Sequence, residues 1–414
     1  MRKILDFNTE LNTGHMILAF IIWPFGAFLI ALSRFRENYA KLIFIMFAML
    51  YGFTFIHIDS ADGQRVSQEF IDVSSRQGHE LIEYFKDKTE TTIDIFLPLI
   101  NVIVSRFSSS AKVLYLVYAF IYFMLLMHSF YLLLKLNGAK NKLSFESALF
   151  LILFLIYIRL SAINGVRFWI ACFVFVYSII QIIYYEKSKY LILLFLTPLI
   201  HFTYILVIPV LLIYYLLRNN LLYCYILLII TLIIPTFISD GFIATLGVFD
   251  EKKSSRMDMY LYEGNVEKRY GMRAANRWVI QFGDIIARWT LSISIFIPKI
   301  LFKISLKGRD KNMFAFLIVF LSILQFTESS YELHRRFFEV FIVLSLAFLY
   351  KLSTVKTKKF KPFVLLVALF LFPQIAFGLR AAMETMNIGL FVSSLLTMSV
   401  FTNVPVSIVD ALLR

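Results

Sequence analysis

Long apolar stretches, each closed by a short polar or basic loop, recur from one end of the chain to the other. Most run to about 15–25 residues, close to the ~20 that a helix needs to cross ~30 Å of hydrocarbon. The pattern predicts spans over 14–33, 40–58, 111–134, 145–158, 163–184, 190–200, 201–217, 220–238, 278–298, 312–326, 336–350 and 361–378. Two weaker runs, 93–107 and 386–402, fit re-entrant or interfacial segments. The expectation is an all-α, polytopic integral membrane protein with about 12 transmembrane helices (11–14) in a single transmembrane domain over 1–414. Outer loops 59–110 and 240–277 are expected to carry short amphipathic helices.

Basic residues in the short loops set the orientation. Arg34/Arg36/Lys41, Lys135/Lys140/Lys142, Lys187/Lys189, Lys299/Lys303/Lys307/Arg309/Lys311 and Lys351/Lys356/Lys358/Lys359/Lys361 share one side only if 190–217 crosses twice. That requires a broken hairpin near Pro198 and His201, with His201 at the outer surface. Lysine then dominates the cytoplasmic side, where charge alone suffices. Arginine dominates the other side, and its planar fork suits phosphate and carboxylate.

Composition agrees with the spans: 60% of residues are apolar, and 45 of the 414 are Phe. That leaves no soluble domain of any size. The first apolar run lacks a basic leader and a small-residue cleavage site, and is read as a span. Cys172 and Cys224 both fall inside spans, against a disulfide framework or a thiolate metal site.

Four outer segments hold groups that could do chemistry. In His57-Ile-Asp59-Ser-Ala-Asp62-Gly-Gln-Arg65-Val-Ser-Gln-Glu69-Phe70, Asp62, Arg65 and Glu69 follow helical spacing. A carboxylate at the lip of a membrane cavity makes a general base, and a solvated, capped amphipathic helix accounts for the pattern equally well. Ile163-Asn164-Gly165-Val166-Arg167-Phe168-Trp169 places Arg167 at the head of a span, with Arg159 across a short hairpin. Two guanidiniums fixed there could seat a phosphate, or could snorkel to the headgroups. The Asn164-Gly165 turn, with Trp169 one step below, favours a fixed geometry. Ile200-His201-Phe202-Thr203-Tyr204 marks the broken hairpin. Glu328-Ser-Ser-Tyr331-Glu332-Leu-His334-Arg335-Arg336-Phe-Phe-Glu339 concentrates charge where a span begins, which is costly unless the groups serve each other or a ligand. The loop 240–277 adds Arg256, Arg269, Arg273 and Arg277 interleaved with Tyr260, Tyr262 and Tyr270, suited to sugar stacking or to an amphipathic lid.

Walker, dinucleotide and His-x-x-x-His motifs are absent from the sequence, no inverted repeat emerges, and the spans hold hardly any ionisable residue. Chemistry at the outer surface without a nucleotide needs an activated, membrane-held substrate, and lipid-linked diphosphate sugars meet that need. The residues also resemble a known family. Asp62-Gly-Gln-Arg65, with Phe70 eight after the Asp, resembles the Asp-x-x-Arg-Tyr-x-x-x-Phe pattern of EpsG-like, Wzy-type polysaccharide polymerases, with Val66 in place of the usual Tyr. Asn164-Gly-Val-Arg-Phe-Trp169 is similar to that family's most specific motif. Ile200-His-Phe-Thr-Tyr204 is similar to its Ile-His-Phe-Ser segment, and His334-Arg-Arg-Phe-Phe338 to its late Arg-Phe motif.

The resemblance implies a GT-C-like helical bundle in a bacterial inner membrane, with the active site facing the periplasm. It implies a glycosyltransferase that joins undecaprenyl-diphosphate-linked oligosaccharide repeat units into O-antigen, capsular or exopolysaccharide. Arg159, Arg167, Arg335 and Arg336 would hold the diphosphate. Asp62 would be the base, with His334 and His201 as alternatives. Arg65, Asn164, Trp169, Arg273, Arg277 and Tyr260 would orient the glycan. No cofactor or metal is required, since arginines supply the positive charge. The partners expected are the lipid-linked glycan, membrane lipid, a chain-length regulator and a flippase, with no nucleic acid. A polysaccharide ligase or related glycosyltransferase is the alternative reading, and a transporter a distant one.

Overall fold

Apolar helical periodicity becomes helix throughout. The computed structural model describes residues 12–57, 62–91, 94–136, 143–157, 160–233, 282–327, 331–354, 359–403 and 406–413. Among them the sole β feature is an isolated bridge between Asn387 and Ser407. The helices are α1 (Thr13–Ile22), α2 (Pro24–Ser33), α3 (Asn38–Phe53), α4 (Asp62–Ser75), α5 (His79–Thr91), α6 (Phe96–Ser105), α7 (Ala111–Leu136), α8 (Phe145–Tyr157) and α9 (Val166–Ile183). They continue with α10 (Leu191–Ile200), α11 (Val207–Leu217) and α12 (Leu221–Ile233). After these come α13 (282–294), α14 (Gly308–Gln325), α15 (Tyr331–Ser353) and α16 (Phe360–Thr385). Short 3₁₀ turns precede α9, α10 and α11.

Three stretches, Ala111–Leu136, Ala162–Ile183 and Phe360–Thr385, are each long and apolar enough to cross a membrane alone. Several other expected spans appear as shorter apolar helices of 10–17 residues, so twelve full-length spans do not emerge among the described residues. The predicted span 14–33 is two helices broken at Trp23. Pro24 opens α2, and the Trp23 indole N–H donates to Phe391 O at 2.7 Å. Pro is suited to the first helical position because its missing N–H has no partner there anyway. The predicted run 386–402 is likewise two short pieces, Gly389–Val392 and Met398–Asn403.

At the centre, α14 and α15 are buried on all sides, from Met313 to Leu324 and from Phe337 to Tyr350. A helix apolar all round belongs inside a bundle. Conversely α12 and α16 expose Leu222, Ile229, Ile233, Leu369 and Phe372, as helices facing lipid do.

The predicted double crossing at 190–217 takes the form of a break. α10 packs on α9 and ends at His201, whose backbone is extended (φ −150°, ψ 117°). Pro198 cannot donate to Leu194 O, and the Thr197 hydroxyl does so instead at 2.6 Å. A 3₁₀ turn, Phe202–Leu206, then leads into α11.

One end of the bundle gathers the lysines. There Lys351 Nζ donates to Leu136 O, Lys311 to Asn219 O, Lys299 to the Tyr225 hydroxyl, and Arg309 pairs with Glu186 at 2.7 Å. Lys41 lies 3.1 Å from His128, and Tyr185 ties the end of α9 to the end of α7 through Leu132 O. The opposite end carries Arg167, Arg335 and Arg336, at the starts of α9 and α15.

Candidate functional site at the arginine-rich end

The 3₁₀ turn Leu160–Gly165 feeds α9, so that Arg167 stands in its first turn. Arg167 Nη1 donates to Asp94 Oδ2 at 2.7 Å. The Asp94 side chain is 3% exposed and that of Arg167 33%. Its other oxygen, Oδ1, accepts from Phe202 N–H at 2.7 Å, and the next residue, Ile95, donates to Leu199 O at 3.0 Å. Asp94 therefore joins the α6 entry, the head of α9 and the α10–α11 break. A carboxylate so deeply buried is tolerable only with a charge partner and hydrogen bonds, and it has both.

Arg336, from the first turns of α15, lies over the Phe168 ring at 5.6 Å. Phe168 also meets His201 edge-on at 5.6 Å between ring centres. Burial first, then the Arg167 and Arg336 charges, hold the His201 imidazole well below its ordinary 6.5. Its Nδ1 accepts from Thr203 N–H at 3.4 Å and lies 2.8 Å from the Thr203 hydroxyl, so the neutral ring carries its proton on Nε2. The arrangement thus combines two guanidiniums and a neutral imidazole N–H at one spot. That set suits a multiply charged anion.

Arg335, one residue earlier, takes another direction. It pairs with Glu339 at 3.0 Å, in a tight cleft that Tyr157, Asp284, Arg288 and Phe338 also line. Arg288 lies 3.9 Å from Asp284, which accepts from the Gln374 amide, and sits over the Phe338 ring at 5.7 Å. Adjacent residues on a helix point ~100° apart, and Arg335 lines this cleft while Arg336 lies over Phe168. His334 donates from Nδ1 to Leu324 O at 2.9 Å, which leaves Nε2 as its basic nitrogen.

The Asp62-Gly63-Gln64-Arg65 and Asn164-Gly165 motifs meet directly. A Cβ on Gly63 would stand 2.1 Å from Asn164 Oδ1 and 2.8 Å from the Tyr115 hydroxyl. Tyr115 donates to Gly63 O at 2.9 Å. Only a glycine allows this approach of α4 to the α9 entry. Asn164 Oδ1 is buried without a hydrogen-bond partner among the described residues. Trp169 meets Phe168 edge-on at 5.6 Å and flanks Gly165.

The predicted face of α4 divides. Arg65 is exposed, while Glu69 turns to α5, accepting from the Tyr84 hydroxyl at 2.7 Å and pairing with Lys88 at 3.0 Å. Val66 packs against the edge of the core. Asp62 opens α4, but its side chain falls outside the described residues, as do Arg159, Tyr260, Arg273 and Arg277.

Asp94, Asp284 and Gln374 are site residues that the sequence reading did not name. Asp94 had one available signal: it is a lone carboxylate at the head of an apolar run, and ionisable groups in such places generally have a partner. Asp284 and Gln374 meet across 90 positions, and no spacing announces them.

No curated protein matches the chain, and no solved structure matches it. The sequence model of the EpsG family matches residues 76–389, which include Asp94, Arg167, His201 and Arg336 but begin after Asp62-Gly-Gln-Arg65. Covering well over half of the 414 residues, that match places the protein in the EpsG family.

Proposed function

We propose that the protein is a polysaccharide polymerase that joins oligosaccharide repeat units carried on undecaprenyl diphosphate. The observation that carries this reading is the convergence of Arg167, Arg336 and His201 around Phe168, at the end opposite the lysines. By the positive-inside rule the lysine end is cytoplasmic, which puts this cluster at the outer leaflet of the inner membrane, facing the periplasm.

In the reaction the bond from the glycan's anomeric carbon to the diphosphate breaks, and a bond to a hydroxyl of the next repeat unit forms. The hydroxyl proton passes to a base, and undecaprenyl diphosphate leaves. Arg167 and Arg336 hold that diphosphate and stabilise the charge that develops on it, with His201 adding a neutral N–H donor. Arg335 is reassigned from this clamp to the cleft with Glu339. Asp62 is the first candidate for the base, on its position in the α4 motif. His334 is the alternative, because its Nε2 lone pair is available. Arg159 joins the clamp, and Arg65, Asn164, Trp169, Arg273, Arg277 and Tyr260 orient the glycan. A chain-length regulator and a flippase of the same pathway would be its partners.

The test uses purified full-length protein in nanodiscs with a synthetic undecaprenyl-diphosphate repeat unit, products being resolved by size. A ladder spaced by one repeat, with free undecaprenyl diphosphate released, is the expected result. Single transfer to a different acceptor would replace the polymerase with a ligase, and no transfer would remove the glycosyltransferase reading.

A further inference from the structure

We propose that Asp94 is the positioning residue of the anion clamp, presenting the Arg167 guanidinium to a diphosphate and fixing the His201 break beside it. The inference deepens the reading above, on which it rests for the identity of the anion. Three facts carry it. Both Asp94 oxygens are engaged at 2.7 Å, one by Arg167 and one by Phe202 N–H, so the carboxylate links the two chain segments that bring Arg167 and His201 together. The exposures are unequal: the Asp94 side chain is 3% exposed and that of Arg167 33%, so the carboxylate is the fixed anchor and the arginine the partly accessible partner. A guanidinium has five N–H donors, and the bond to Asp94 uses one terminal nitrogen, which leaves a fork edge able to meet phosphate oxygens.

Asp94 touches no substrate in this scheme. It acts by keeping a long, flexible side chain in one orientation, so that its ordering is complete before the anion arrives. A misplacement of about 1 Å in such a contact can cost ~100-fold in rate.

The experiment is calorimetric titration of inorganic pyrophosphate into the full-length protein in nanodiscs. Wild type is compared with Asp94→Glu, Asp94→Asn, Arg167→Lys and the double variant Asp94→Glu/Arg167→Lys, with thermal unfolding recorded for each. Asp94→Glu keeps the charge and the pairing but moves the carboxylate by one methylene, so it should fold and yet bind pyrophosphate at least tenfold more weakly. Arg167→Lys should weaken binding by a similar factor, and the double variant should be no weaker than the poorer single one. Pyrophosphate affinity equal to wild type in Asp94→Glu or Asp94→Asn overturns the proposal. So do multiplicative losses in the double variant, or the absence of binding by wild type. The ladder assay on wild type separates the two readings: binding that depends on Asp94, without polymer, would leave the clamp standing and remove the polymerase.

Discussion

Two arginine clusters share one end of the bundle, and they are built on opposite plans. Around Phe168, Arg167 is held by a carboxylate far more buried than itself, and Arg336 lies on an aromatic face. In the cleft between α13 and α15, Arg288 and Arg335 pair with Asp284 and Glu339, each a helical turn away. All four of those side chains are three-quarters or more buried. Here each arginine has its carboxylate one turn away on its own helix, and the cluster reads as structure. The first cluster has a partly accessible arginine on a buried anchor, and reads as a receptor for an anion that arrives from outside.

The strongest test of that contrast is at Arg167. Arg167→Ala leaves Asp94 buried with its charge uncompensated, and losing one partner of a buried pair costs about 3–5 kcal/mol. We expect polymer formation to vanish and the unfolding midpoint to fall together, so this variant alone cannot report on chemistry. Arg167→Lys keeps a cation for Asp94 but loses the planar fork. It should retain the unfolding midpoint and still lose activity at least ~tenfold. A lysine variant with wild-type polymer yield would reduce Arg167 to a structural ion-pair partner.

Arg335 and Arg336 extend the comparison along one helix. Arg336→Ala should lower turnover by roughly 10–100-fold with little change in stability, because one charge-stabilising donor is typically worth that much or more. Arg335→Ala should do the reverse, removing the bond from Arg335 to the mostly buried Glu339 and costing ~1–3 kcal/mol while the folded enzyme keeps its rate. Turnover and chemical denaturation on the same preparations decide the matter. Equal losses of rate in both variants would erase the distinction between the clusters.

Much of this end was legible beforehand because it is written locally. The span starts at 166 and 331 lie within five residues of those predicted, and Pro198 announced the break that carries His201. The ~100° between Arg335 and Arg336 also follows from adjacency on a helix, although the sequence alone suggests both for the diphosphate. The expected single span 14–33, by contrast, is broken at Trp23, with Pro24 opening α2. What could not be read is pairing across distance. Asp94 and Arg167 are 73 positions apart, and the benefit of each depends on the burial of the other. Local periodicity holds no record of that.

A smaller effect probes how the α4 motif docks on the arginine segment. Gly63→Ala puts a methyl against Asn164 Oδ1 and the Tyr115 hydroxyl, and overpacking of this sort typically costs about 1–3 kcal/mol. Shortening the obstructing side chain should relieve part of it, so Gly63→Ala/Asn164→Ala is expected to unfold at a higher temperature than Gly63→Ala alone. Strict additivity of the two substitutions would show that the motifs do not meet through these atoms.

The smallest effect concerns His201 and its place beside two guanidiniums. Its folded-state pKa is depressed by burial and by Arg167 and Arg336, while an unfolded histidine titrates near 6.5. The unfolded state therefore binds more protons below that value, and stability rises with pH there. The contribution is complete above about pH 6.5 and is lost as the pH falls below it, at no more than ~1.4 kcal/mol per pH unit. The detergent-solubilised protein should thus melt at a lower temperature at pH 5 than at pH 7, and His201→Gln should flatten that slope. Carboxylates whose folded pKa values are depressed also destabilise the fold as the pH drops, but nearer their own lower range, so the difference between the two proteins isolates the histidine. An unchanged slope in His201→Gln would mean that the imidazole is not held neutral by its neighbours, and the clamp would lose its neutral donor while keeping both arginines.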